Sequence, residues 1–240
     1  MKGQQKPPAV KWVRWLFIAS LCLFLGLMGV QKYRHDQLTQ NIARARTVKV
    51  RPVQTKKAAD DNAPQPTYWD EDTRGITVGK LAIPSVGIKL PIIKGIGQTN
   101  GHDNMLKAAV TNKQGQIMGK RNYVLSSHDI AQENVLFSPL SQMKVGAAIY
   151  LSDMKQVYTY RVISRKTVKA NQVAILDDVR QKRLVTLYTC DPDGEIVNGQ
   201  TYERTVVVGE LVKTTKASAK TLTPFYEKAS DKSQFCRMLF

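Results

Sequence analysis

The chain changes its hydrophobic rhythm once, near its first quarter. From Trp15 to Gln31 no residue is charged, and the run WLFIASLCLFLGLMGVQ is apolar all round. A core helix would carry an apolar stripe and a polar face, so this run predicts a helix that meets lipid on every side. Seventeen helical residues rise about 26 Å, slightly short of a bilayer core. Adding Trp12 and Val13, with Arg14 snorkelling toward the headgroups, completes the span. Trp12, Trp15 and Tyr33 stand where an interfacial aromatic belt belongs. A cleaved signal peptide is the rival reading. Gly29-Val30-Gln31 matches its small-residue cleavage pattern poorly, so an uncleaved anchor is expected over residues 1–34.

Residues 35–75 read as a stalk. Gln37 to Val50 can prolong the helix, whereas Lys56 to Asp72 is polar and carries Pro64 and Pro66. From Ile76 to Val212 the rhythm becomes strand-like. Short runs rich in Val, Ile, Tyr and Thr lie at 79–84, 86–93, 123–127, 147–151, 157–163, 184–189 and 204–211, separated by Gly, Pro and polar residues. Seven to eight short strands in this length predict a mostly β domain, a closed barrel or a sandwich. Residues 100–109 and 135–143 are the expected short helices. The tail, residues 213–240, is rich in Lys, Ser and Thr before an apolar end at Phe235-Cys236-Arg237-Met238-Leu239-Phe240. Its first half is expected to be disordered.

Charge and cysteine content narrow the function classes. The net charge is +17, and the excess is spread over the anchor and stalk, the β domain and the tail. A nucleic-acid binder gathers basic residues on one element among aromatics, so no nucleic-acid partner is expected. Attraction to membrane lipid or an anionic wall polymer fits better. Lys2, Lys6, Lys11 and Arg14 precede the span, but Lys32, Arg34, Arg44 and Arg46 follow it, so charge alone does not orient it. The short N-terminal segment and the large C-terminal domain predict a single-pass membrane protein with its folded domain outside. Three cysteines, Cys22, Cys190 and Cys236, build no even disulfide framework. No CxxC is present and the histidines are scattered, which argues against structural zinc.

Cys190 is the one cysteine in the β domain. It ends a strand and precedes Asp191-Pro192-Asp193-Gly194, strong turn chemistry. Position alone allows a fixed, accessible nucleophile or an inert buried thiol. His128 also follows an apolar strand, where it is either a proton-transfer group or a surface histidine. His102, in a polar stretch, reads as a turn or cap residue. Arg204 opens the last strand. It is either a solvated strand end or a guanidinium able to favour a thiolate and bind an oxyanion.

Taken together these segments resemble class A sortases. Thr186-Leu187-Tyr188-Thr189-Cys190 matches a TLxTC signature, and Arg204-Thr205-Val206-Val207 heads the following strand. Ser126-Ser127-His128 resembles the histidine motif. Leu81-Ala82-Ile83-Pro84 with Ile88-Lys89-Leu90-Pro91-Ile92 resembles the opening strands, and Leu136-Phe137-Ser138-Pro139-Leu140 matches the middle. The resemblance covers residues 76–212. It implies a sortase β-barrel and a cysteine transpeptidase that cleaves LPxTG-type sorting signals between Thr and Gly through a thioacyl-enzyme. The acyl group would pass to an amine of a peptidoglycan precursor. It implies Cys190 as nucleophile, His128 as general acid/base and Arg204 as the oxyanion and substrate clamp. Thr189 and Ser126 would line the substrate groove. Partners would be LPxTG-bearing surface proteins, the precursor amine and membrane lipid. A water-using hydrolase and a non-catalytic binding module are the alternatives, and the complete Cys/His/Arg set argues against the latter.

Some class A sortases hold calcium on acidic residues in the loop before the histidine strand. Here Thr111 to Asn122 carries Lys113, Lys120 and Arg121 and no acid, so no cofactor and no calcium requirement are expected. The pilin-polymerising class C typically has an Asp-Pro-aromatic lid and a C-terminal membrane helix. Tyr68-Trp69-Asp70 lacks the proline and the tail lacks the helix.

Overall fold

The computed structural model describes residues 9–51, 75–99, 102–130, 135–197 and 200–226. They fall into two compact units divided after Asn41. The helix α1 (Ala9–Thr47) supplies all the described residues of the first. Its large apolar side chains lie open, with Trp12 and Phe17 each 73 % exposed. Among the described residues it is the one helix long and apolar enough to cross a membrane, with a mean hydropathy of 2.0 in its most apolar window.

The second unit begins at Ile42, inside the expected stalk. Ile42 and Ala45 are buried. Arg46 Nε donates to Lys89 O at 2.7 Å, and Arg51 N donates to Thr77 O at 2.8 Å. Residues 42–51 are therefore part of the β domain's packing rather than a free linker. The irregular half of the stalk and Tyr68-Trp69-Asp70 lie outside the described residues.

Eight strands close a barrel: β1 (Thr77–Ile83), β2 (Ile88–Ile93), β5 (Ala109–Thr111), β6 (Asn122–Ser126), β7 (Ala148–Ser152), β8 (Gln156–Lys169), β9 (Leu184–Cys190) and β12 (Glu203–Lys216). Two-stranded ribbons add β3 (Gln98–Thr99) with β4 (His102–Asp103), and β10 (Ile196–Val197) with β11 (Gln200–Thr201). The order round the barrel is β1-β2-β5-β6-β9-β12-β8-β7. β2–β5 and β6–β9 are parallel and the other pairs antiparallel. Closure leaves no barrel edge unpaired. Fully buried Ile83, Ile92, Leu125, Ile149, Leu151 and Leu187 belong to the core.

All seven expected strands are present. The eighth, β5, has three residues, too few to show an alternation, and joins β2 to β6. The two expected helices are short 3-10 segments, Asn104–Leu106 and Ser138–Gln142. Each is too short for α-helical nucleation, and Pro139 at the head of the second withholds a backbone donor.

The tail departs most from expectation. β12 continues through Val212 to Lys216, paired with β8. Leu222 and Phe225 are then buried against Ala82 and Val157. Lys80 Nζ lies 4.5 Å from the Tyr226 ring centroid, and Lys89 Nζ donates to Tyr226 O at 2.9 Å. Residues 213–226 are thus ordered: two well-spaced apolar anchors outweigh the polar composition. Cys236 lies outside the described residues.

Candidate active site

The register of neighbouring strands sets two of the expected residues side by side. In the antiparallel pair β9–β12, Arg204 stands directly opposite Cys190. Directly paired residues point to one face of a sheet, with Cβ atoms about 5 Å apart. In the parallel pair β6–β9, Ser126 stands beside Tyr188. His128 follows two residues after Ser126, just beyond the end of β6, as Cys190 follows two residues after Tyr188 at the end of β9. Thr189 Oγ1 donates to Ser127 O at 2.8 Å, which ties the two strand ends together there. Cys190 is a free, half-buried thiol.

Each residue is held by its surroundings. His128 O accepts from Phe137 N at 3.1 Å, and His128 Nε2 lies 2.7 Å from Asp103 Oδ2. Arg204 Nη1 donates to Glu203 O at 2.9 Å and to Thr201 O. A guanidinium has five N–H donors, so these contacts orient it with donors to spare. After Cys190 the chain turns, as the Asp-Pro-Asp-Gly run predicts, and Gly194 N donates to Asp191 O. Asp191 is buried. Its Oδ2 accepts from Thr167 Oγ1 at 2.7 Å and Thr205 Oγ1 at 2.9 Å, and its Oδ1 from Asp193 N at 3.1 Å. Burial pushes its carboxyl up, but these hydrogen bonds outweigh burial and hold it below the usual carboxylate range. Asp191 thereby fastens the segment after Cys190 to β8 and β12. Burial raises the carboxyl of Asp129, next to His128, against the opposing bond from Ser138.

Two residues expected to line the groove are buried. Ser126 is 0 % and Thr189 3 % exposed. Both lie beneath the surface, and the Thr189 hydroxyl is spent on the strand end. Sequence reasoning also passed over Asp103 and Asp191. Asp191 was visible only as turn chemistry. Asp103 lay in a polar stretch where His102 drew attention, and nothing local signals a partner 25 positions away.

The sortase-domain model matches residues 81–212, more than half of the chain. The chain belongs to the sortase family. This sortase is 34 % identical over 191 residues to sortase A of Listeria monocytogenes, covering 80 % of each chain. It is 40 % identical over 143 residues to sortase A of Streptococcus agalactiae, covering 57 % of this chain and 53 % of that one. The crystal structure of the Listeria monocytogenes sortase A superposes with a TM-score of 0.56 at 36 % identity, covering 63 % of this chain and 99 % of that one. These relatives place the sortase in class A, among cysteine transpeptidases, and the eight-stranded barrel agrees.

Proposed function

We propose that this sortase is anchored by α1 with its barrel outside the membrane, and that it cleaves LPxTG-type sorting signals between Thr and Gly. The observation that supports this best is the register: Cys190 and Arg204 are a direct cross-strand pair, and His128 follows the end of β6, the strand paired with β9 on its other side.

In this reading the Cys190 thiol passes its proton to His128 and its sulfur attacks the carbonyl carbon of the threonine. The carbonyl oxygen becomes an oxyanion that takes hydrogen bonds from Arg204, a donor typically worth about 3 kcal/mol. His128 gives a proton to the glycine nitrogen, the C–N bond breaks and the glycine-led fragment leaves as an amine. A thioester joins the protein substrate to Cys190. An amine of a peptidoglycan precursor attacks that carbonyl carbon, His128 takes its proton, and the C–S bond breaks to regenerate Cys190. A thioester reacts more readily with amines than with water, which favours transfer over hydrolysis. The membrane anchor places enzyme, exported substrate and lipid-borne precursor at one surface.

Calcium plays no part in this reading. Lys113 projects from the loop where calcium-binding relatives carry acids, and its ammonium lies 2.6 Å from Asp178 Oδ1 and 3.1 Å from Leu176 O.

Incubating the full chain in detergent with an LPxTG peptide should yield an acyl adduct on Cys190, seen by mass spectrometry. An added amine should turn it over into an amide product. No adduct, or an adduct elsewhere, refutes the proposal.

A further inference from the structure

We infer that Asp103 is the positioning residue for His128, fixing which ring nitrogen exchanges protons with substrate. This rests on the transpeptidation proposed above. His128 Nε2 and Asp103 Oδ2 are 2.7 Å apart. An ionised carboxylate only accepts hydrogen bonds, so Nε2 is the donor and Nδ1 is the nitrogen left for proton transfer.

The carboxylate is itself held. Its other oxygen, Oδ1, accepts from Met105 N at 2.8 Å, capping the 3-10 turn Asn104–Leu106. That turn is stapled to the histidine strand: Ser127 Oγ donates to Met105 O at 3.0 Å and to Ala108 O at 2.8 Å. Asn104 N donates to Gly97 O at 3.0 Å, tying the turn to the residues before the β3–β4 ribbon. The residue beside His128 thus grips the turn that presents Asp103, so ring and carboxylate are positioned by one small frame.

Stability gives a poor reason for the pair. His128 and Asp103 side chains are 36 % and 33 % exposed, and polar pairs so open to water contribute little to folding, charged or not. The same exposure puts the pair where a substrate amine can reach the ring. A carboxylate that fixes the tautomer of a catalytic imidazole acts through that imidazole and touches no reacting atom.

The test is Asp103→Asn in the full chain in detergent. The amide keeps an oxygen for Met105 N–H, so the cap survives, while its NH2 faces Nε2 and requires that nitrogen to accept. Expected are a fall in kcat of roughly 10- to 100-fold for an LPxTG peptide with hydroxylamine as acceptor, KM within about twofold and an unchanged Tm. Nitrogen-15 spectra of the neutral His128 ring should show the proton on Nε2 in the wild type and on Nδ1 in the variant. Wild-type kcat with an unchanged tautomer overturns the inference. So does a loss of kcat with a lowered Tm and the same tautomer, which marks a purely structural role. If the wild type forms no thioester on Cys190, the reaction itself is refuted, and the tautomer comparison still decides whether Asp103 sets the ring.

Discussion

A carboxylate meets a nitrogen partner at each end of strand β6, and the two pairs are built differently. Beyond its C-terminal end, His128 meets Asp103 at 2.7 Å with both side chains about one-third exposed. Near its N-terminal end, Lys113 meets Asp178 at 2.6 Å with side chains 2 % and 7 % exposed. The buried pair is tied to its loops through one carboxylate oxygen and the lysine. Lys113 also donates to Leu176 O, Asp178 Oδ1 accepts from Asn122 N, and Asn122 Nδ2 donates to Leu176 O and Asp177 O. Burial is the difference that matters. A charge sealed from water must keep its partner and fixes a loop, whereas an open pair holds its geometry and still admits a proton acceptor.

The largest effects should come from the open end. Cys190→Ala is expected to abolish thioester formation, and retained peptide cleavage would rule out the mechanism. His128→Ala and Arg204→Ala should each lower kcat/KM by about 10²- to 10⁴-fold, while Tm stays within about 2 °C of wild type, as befits side chains outside the core. Peptide turnover and thermal melts of the same preparations measure both. If either variant unfolds the barrel, that end is structural after all and the contrast collapses.

The buried end should behave in the opposite way. Lys113→Met leaves Asp178 sealed without its main cation, with Arg121 Nη1 a distant 3.7 Å from Asp178 Oδ2. The expected cost is about 3–5 kcal/mol of stability, read as a fall in denaturant midpoint. The fraction that remains folded should keep nearly wild-type kcat, since Cys190, His128 and Arg204 lie beyond the far end of β6. A kcat loss with an unchanged midpoint would mean that this loop works in catalysis.

The same contrast separates what the sequence made legible. Strands were readable because Val, Ile and Tyr recur with turn residues between them, and Cys190, His128 and Arg204 because each stands at a strand terminus within a known signature. Burial of Thr189 follows from the alternation of a strand, whose neighbours point to opposite faces. Thr189, next to Cys190, faces inward for that reason. Asp103 was hidden because its partnership is made by folding, through a 3-10 turn stapled to Ser127. The tail misled because composition weighs every residue alike, while order there rests largely on Leu222 and Phe225.

A smaller effect should appear on acidification, and Asp191 gives its sign. Its folded-state carboxyl titrates below the usual range. The stability this contributes is full above the unfolded carboxylate value of about 4 and is lost as pH falls through the lower folded value. Asp191→Asn removes the ionised acceptor of Thr167 and Thr205. The variant should therefore melt below wild type at pH 7, and the gap should narrow as pH drops below about 4. A gap that is constant with pH would show that the hydrogen bonds, and not the charge, fasten the Cys190 turn.

The smallest expected effect is none. Lys113 bridges its loop to the segment after β8, reaching Leu176 O and Asp178. A divalent cation entering there would meet an ammonium in place of the oxygen ligands it requires. Millimolar calcium and chelator should therefore leave kcat/KM of wild-type enzyme equal. Lys113→Met removes the repelling charge but supplies no oxygen, so its lost stability should not return with calcium either. Strong stimulation of the wild type would break the comparison at its root, because the buried end would then be a metal site and not a finished ion pair.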